Sequence, residues 1–406
     1  MQQPHKPRIG QYFKSAIASL VRRQHHSSIL RDEVASLKQQ LIEYQGQVTE
    51  SLKAQSIGLD TLGGKLTNSI ENFRPKRLFI STGFFSTAIA ATIALQGDAC
   101  YDDYLLVPID RQSESDNIQW AYQANDSWID VKCIPHSEYY NHNNDSKLPF
   151  SEIEFDSIFS PFIEMTGFIE ENFHAKKHHY FEEGITSYLQ VLRETKNLQD
   201  TLFYALSPSL LRNSSVITPP VSGAIFREIF IRNNASYRVP IFENPRNILI
   251  LATGAPPDHT GDPLAALSAY VPIAQAMINA GVDVWLHPHP RVSLGDTFGT
   301  SELARAGVRL IETDAPLVES VIVNNREKIS AIVSIYSSLT VHALTLFGIP
   351  AFSVHAAPPD EKQAWWKAIQ DAAIPDAECL LHASSDELLH IANSFHNQNI
   401  GWAPTL

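Results

Sequence analysis

Four short strings carry the residues able to do chemistry: Glu182-Glu183-Gly184, His287-Pro288-His289-Pro290, Pro316-Leu317-Val318-Glu319 and Ser337-Ser338. Adjacent carboxylates in a turn repel each other, which makes at least one a better acceptor for a hydroxyl proton. Gly184 lets the chain turn sharply behind them. Each proline of the second string pushes the histidine before it into extended geometry. An imidazole held there can hydrogen-bond or protonate a leaving phosphate, and Arg291 can add a bidentate contact. Ser337 and Ser338, with Thr340 behind them, open an apolar run read as a helix, where free amides and hydroxyls make a cradle for an anion. Among the acids between these strings (Glu312, Asp314 and Glu319), Glu319 is the choice for accepting hydrogen bonds from ribose hydroxyls. Plainer readings stand beside these: acids favoured by a helix dipole, serine as a helix cap, solvated surface carboxylates. His287 and His289 also have ligand chemistry, but the best further ligands, Asp258, His259 and Asp262, lie in another loop, so no metal is expected.

The elements around the strings set their positions. Residues 77–81, 104–108, 128–132, 155–160 and 178–182 read as strands, as do 247–252, 282–286, 308–311, 331–335 and 350–354, with helices over 86–95, from about 186, over 264–280 and over 337–347. Strands alternating with helices imply parallel sheets, and the near-continuous apolar runs fit strands covered on both faces. The fold expected is α/β: two Rossmann-like doubly wound domains facing a cleft, residues 74–245 and 246–406, behind an extension over residues 1–73. Ligands of such sheets bind beyond the carboxyl ends of the strands, where all four strings fall. The loops after the first strand of each domain, Thr82-Gly83 and Thr253 to Asp262, match neither a dinucleotide fingerprint nor a phosphate loop with its lysine. Ser337 lacks the Gly-x-Ser-x-Gly setting of an α/β-hydrolase.

The extension reads differently. Lys6, Arg8, Lys14, Arg22, Arg23 and Arg31 precede the first acid, Asp32, with Tyr12, Phe13, Ile17, Leu20 and Val21 at helical spacing. That pattern suits a basic amphipathic helix on an anionic membrane surface, or one packed on a partner. Leu30, Val34, Leu37, Leu41, Tyr44 and Val48 follow in steps of 4, 3, 4, 3 and 4, a heptad seam of about three repeats. A homo-oligomer through this coil is expected.

Composition narrows the rest. The 406 residues are 44% hydrophobic and 18% charged, ordinary for a globular chain. A net charge of −13 argues against nucleic acid as a partner. No apolar run reaches the roughly 18 residues of a membrane span, and no signal peptide is evident. The three cysteines, Cys100, Cys133 and Cys379, fit no zinc or disulfide spacing, which points to the cytoplasm, with peripheral contact at the inner membrane face as an option.

Together the strings resemble those of the bacterial GT-B-fold sialyltransferases, including lipooligosaccharide sialyltransferases and capsule polysialyltransferases. Tyr180-Phe181-Glu182-Glu183-Gly184 resembles their acid-acid-Gly motif, His289-Pro290 their His-Pro motif, and Ser337-Ser338 their Ser/Thr pair. The resemblance spans roughly residues 76–385. It implies an inverting, metal-independent glycosyltransferase that moves sialic acid from a CMP-sugar to a hydroxyl of a surface glycan, with no cofactor besides that donor. It also implies roles: Glu182 as general base, His289 on the departing phosphate, Ser337 and Ser338 as its cradle, Glu319 on the ribose. Those families often carry a lysine two residues before the motif histidine, where this chain has His287, so Kdo or another nonulosonic acid suits the same site. Two alternatives remain: a UDP- or GDP-sugar donor on the same fold, and a non-catalytic oligomeric scaffold for glycan assembly.

Overall fold

The structure, a computed structural model, describes residues 74–97, 101–109, 113–140, 147–184, 187–188, 190–191, 201–211, 214–243, 248–253, 267–288, 294–335 and 337–353, together with Ser36 and Gln39. The chain divides into two compact units between Arg74 and Pro75. In the first, Ser36 and Gln39 are helical, and the expected basic helix and heptad seam otherwise lie outside the described residues.

Among its described residues the second unit holds two large sheets and a two-stranded one that pairs Glu154–Phe155 with His174–Ala175. The first contains β1 (Lys76–Ile80), β2 (Asp102–Ile109), β3 (Asp130–Pro135), β4 (Ser157–Ser160), β5 (His178–Phe181) and β6 (Phe203–Tyr204), with α1 (Phe84–Gln96), α2 (Glu114–Ala124) and α3 (Gly223–Asn233). The second contains β7 (Ile248–Thr253), β8 (Asp283–His287), β9 (Arg309–Leu310), β10 (Ile329–Ile335) and β11 (Ala351–Ser353), with α4 (Val271–Asn279), α5 (Val318–Asn325) and α6 (Leu339–Phe347). The strand orders are β3-β2-β1-β4-β5-β6 and β9-β8-β7-β10-β11, and every pairing is parallel. Both are the doubly wound order, in which the chain reverses direction beside the first strand and leaves a crevice at the carboxyl ends.

Alternation along the strands builds three apolar layers. Leu78 and Ile80 pack on one side of the first sheet with Leu106 and Phe155, and Leu249 and Leu251 pack on one side of the second with Tyr270, Ile273 and Leu286. The opposite faces, Phe79 in β1 and Ile248 and Ile250 in β7, belong to one continuous cluster with Phe226, Phe230, Val321 and Phe347. The period of two along each strand sends neighbouring residues to opposite faces, so apolar runs cover both. Helix α3 is the bridge: it packs on α1 and α2 of the first sheet and α5 of the second. Its start is capped by Ser222, whose Oγ accepts from the Ile225 N–H at 3.3 Å. Trp120 anchors the layer, fully buried, with Nε1 donating to the Phe84 carbonyl at 2.9 Å and its ring 5.6 Å from Phe230. Burying its indole N–H costs little because that partner is supplied.

Candidate functional site

The acid pair leaves the end of β5. The Glu182 N–H donates to the Tyr204 carbonyl at 3.0 Å, extending the β5–β6 ladder by one residue. That pins the Glu182 side chain into the interior, with no exposed surface. A buried carboxylate must be supplied with donors, and Glu182 has three. Oε2 accepts from the Tyr188 hydroxyl and from the Leu206 N–H at 2.5 Å, and Oε1 bonds His342 Nε2 at 2.8 Å. Burial, reinforced by the Glu182 carboxylate, pushes the Tyr188 hydroxyl well above its ordinary pKa, so it stays a donor.

Glu183 points another way. It is half-buried, and its Oε1 accepts from the Thr82 hydroxyl. Its N–H donates to Ser187 Oγ at 2.9 Å. The Thr82-Gly83 loop, at the carboxyl end of β1, therefore reaches the acid pair as its position in the sheet requires. Gly83 sits at φ 137°, ψ −166°, a region open essentially to glycine alone. Glu183 also helps burial push the nearby Tyr140 hydroxyl up to about 12.

Ser337 and Ser338 lie at the start of α6. Ser337 Oγ accepts from the Leu339 N–H at 3.2 Å. Both serines are half-buried. Ser338 stands against the acid-acid-Gly turn: a Cβ added at Gly184 would lie 3.4 Å from Ser338 Oγ. The first and last of the four strings, more than one domain apart in sequence, are thus brought together. Helix α6 makes this approach along one face. Ser338 meets Gly184, His342 meets Glu182, Thr345 Oγ1 bonds Ser207 Oγ at 2.9 Å, and the Leu346 carbonyl accepts from Arg227 Nη1 at 2.7 Å. Steps of four, three and one trace a single helical stripe.

The remaining expected residues are placed as follows. Thr340 is buried on the opposite side of α6, its hydroxyl paired with that of Ser334 in β10. Glu319, in the first turn of α5, is also buried. Burial raises its pKa, against its own backbone hydrogen bond and the pull of His342. His287 ends β8 and is buried, in register with Ala252, and Pro288 follows it. His289, Pro290 and the Thr253 to Asp262 loop beyond Thr253 lie outside the described residues. Among the described residues, no group of three or more His, Cys, Asp or Glu is placed to hold a metal ion, and no helix is long and apolar enough to cross a membrane.

Sequence reasoning missed His342, Tyr188 and Phe85. Phe85, in α1, stacks on the His342 ring at 5.0 Å and 12°. One signal was available: His342 is four residues after Ser338, so a helix opened by that serine carries both on one face.

Residues 261–356 match the family model described as alpha-2,8-polysialyltransferase (POLYST). The match takes in the second sheet from α4 to β11, with His287, His289, Glu319, Ser337 and Ser338, and leaves the acid pair outside. Two parallel Rossmann-like sheets make a GT-B-like architecture, and the segment across the second is similar to the polysialyltransferases. Similar solved structures include the Photobacterium sp. JT-ISH-224 2,6-sialyltransferase in a ternary complex with CMP and lactose (9% identity, 77% of this chain, 78% of that one, TM-score 0.43). The alpha-2,3-sialyltransferase of Photobacterium phosphoreum is another (9% identity, 78% of this chain, 99% of that one, TM-score 0.43). The E. coli heptosyltransferase WaaC with ADP is a third (11% identity, 70% of this chain, 88% of that one, TM-score 0.39). Likeness at this level assigns this chain neither donor nor acceptor. No curated protein matches the chain.

The approach of Gly184 to Ser338 gives a direct expectation. Valine at position 184 meets both a φ of 158° that L side chains rarely adopt and, for its methyls, Ser338; overpacking alone costs about 1–3 kcal/mol, and Ser338→Gly should relieve that part. Urea denaturation of Gly184→Val should show that loss, and a midpoint equal to wild type would contradict the contact.

Proposed function

We propose that this protein is a glycosyltransferase that moves sialic acid, or a related nonulosonic acid, from a CMP-sugar to a hydroxyl of a surface glycan, with inversion at the anomeric carbon and without a metal. The observation that carries this reading is the approach of the α6 start to the acid-acid-Gly turn. It sets a proton-accepting pair beside a helix end suited to a phosphate. Inversion needs this arrangement: the acceptor hydroxyl, losing its proton to a carboxylate, attacks the anomeric carbon from the face opposite the departing CMP. The hydroxyls of Ser337 and Ser338 would hold the phosphate, and His289 would donate to it as it leaves. Segment 334–342 carries no Lys or Arg, which favours a donor that leaves one phosphate over a UDP- or GDP-sugar. Glu319 is proposed for the ribose. It is buried in the first turn of α5, so a ligand would reach it only once it is uncovered.

The base is one of two carboxylates. The family resemblance favours Glu182, whereas burial favours Glu183, because Glu182 has no exposed surface and Glu183 is only half-buried. Isosteric replacement separates them. With CMP-sialic acid at saturation, Gln at the base position should cut turnover about 10²–10⁴-fold, with CMP affinity kept. Glu182→Gln and Glu183→Gln should therefore differ sharply. The double change Ser337→Ala, Ser338→Ala should weaken CMP binding instead. Wild-type turnover in both Gln variants would end the proposal and favour the scaffold reading.

The extension over residues 1–73 is proposed to make a homo-oligomer and a peripheral contact with the inner face of the membrane. Deleting residues 1–72 should lower the mass seen by light scattering and abolish flotation with anionic vesicles, while transfer persists. Unchanged mass and flotation would refute it.

A further inference from the structure

We propose that His342 is a positioning residue, which sets donor affinity by fixing the start of α6 against the acid pair. This deepens the reading of the site as a phosphate-binding one and rests on it.

The bond from His342 Nε2 to Glu182 Oε1 joins the second sheet's helix to the first sheet's turn. The His342 side chain is 1% exposed and that of Glu182 0%, so water cannot take the place of either partner. The ring has no freedom to look elsewhere. Phe85 covers one face, and Nδ1 has no hydrogen-bond partner among the described residues. That leaves the bond to Glu182 as the ring's polar tether and assigns its proton to Nε2.

The geometry transmits this tether to the proposed ligand site. Ser338 accepts from the His342 N–H at 3.0 Å through its carbonyl, so the two residues span one rigid helical turn. At about 1.5 Å per residue, they lie about 6 Å apart along the axis. A shift at His342 is a shift at Ser338, and Ser338 borders Gly184. Two further points along the stripe, Thr345 to Ser207 and Leu346 to Arg227, hold the far end. His342 alone among these tethers reaches the acid pair itself.

The surroundings speak for position rather than bulk. Phe85, Phe226 and Ala343 belong to the apolar layer around this helix, which would take a leucine. A buried polar pair is often no more stabilising than apolar side chains of the same volume, and its best-attested use is to fix register.

Two variants separate the roles. His342→Leu keeps the bulk and loses the donor; His342→Gln keeps an N–H that reaches Glu182. Titration with CMP in EDTA should show affinity lowered about tenfold or more in His342→Leu, since small misplacements of binding groups carry large penalties. The KM for donor should rise by the same factor, and His342→Gln should recover most of the affinity and of the melting temperature that His342→Leu loses by leaving buried Glu182 short of a donor. Wild-type affinity in His342→Leu would make the histidine core filling and overturn the proposal. Should wild type itself fail to bind CMP, the donor reading falls while the tether is still decided by unfolding. A double-mutant cycle of Glu182→Gln and His342→Leu should be non-additive, and additivity would overturn the tether.

Discussion

A carboxylate with no exposed surface constrains everything near it. Glu182 is held by a tyrosine hydroxyl, a backbone amide and an imidazole, and each donor comes from a different element. Tyr188 lies just past the acid-acid-Gly turn, Leu206 just past β6, and His342 in the second sheet's α6. Removing one partner from a buried charge costs about 3–5 kcal/mol when nothing replaces it. These three elements are therefore drawn to one point, and the turn, the strand edge and the helix meet there. The shared apolar layer around α3 supplies most of the attraction between the sheets. It is non-directional, and the buried polar point selects one register from those it allows.

That register bears on the chemistry. Carboxyl ends of parallel strands converge on crevices at the points where strand order reverses. In the first sheet this crevice receives Thr82 and Glu183, already bonded to each other. In the second it receives the start of α6. The proposed transfer, with a nucleoside monophosphate leaving, would need a base and an anion cradle on opposite sides of one carbon, and two such crevices brought close would supply both. The division of the acid pair follows from the same geometry: one carboxylate turned inward to hold elements together, its neighbour turned toward the loop of β1.

The strands of both sheets were legible because parallel strands covered on both faces must be apolar throughout. Runs such as Leu78-Phe79-Ile80 and Ile248-Leu249-Ile250-Leu251 have no other economical use. The start of α6 was legible from Ser337-Ser338 before an apolar run. Helix α3 escaped although its buried Phe226, Ile229, Phe230 and Asn233 keep helical spacing, and β6 escaped because Phe203-Tyr204 is too short to show a period. The environment of Glu182 was hidden for a different reason. Leu206 is 24 positions away and His342 is 160, and pairings at that distance leave no local pattern. Thr340 and Glu319 read as ligand-facing from their place near helix starts. Only the folded structure reveals that both side chains are buried.

The central claim, a site built for a nucleoside monophosphate leaving group, is tested most directly by calorimetric titration of the full chain with CMP, UDP and GDP in EDTA. The account predicts binding of CMP in preference to either diphosphate, undiminished by removal of divalent metal. Preference for UDP or GDP, or no binding of any of the three, would contradict it.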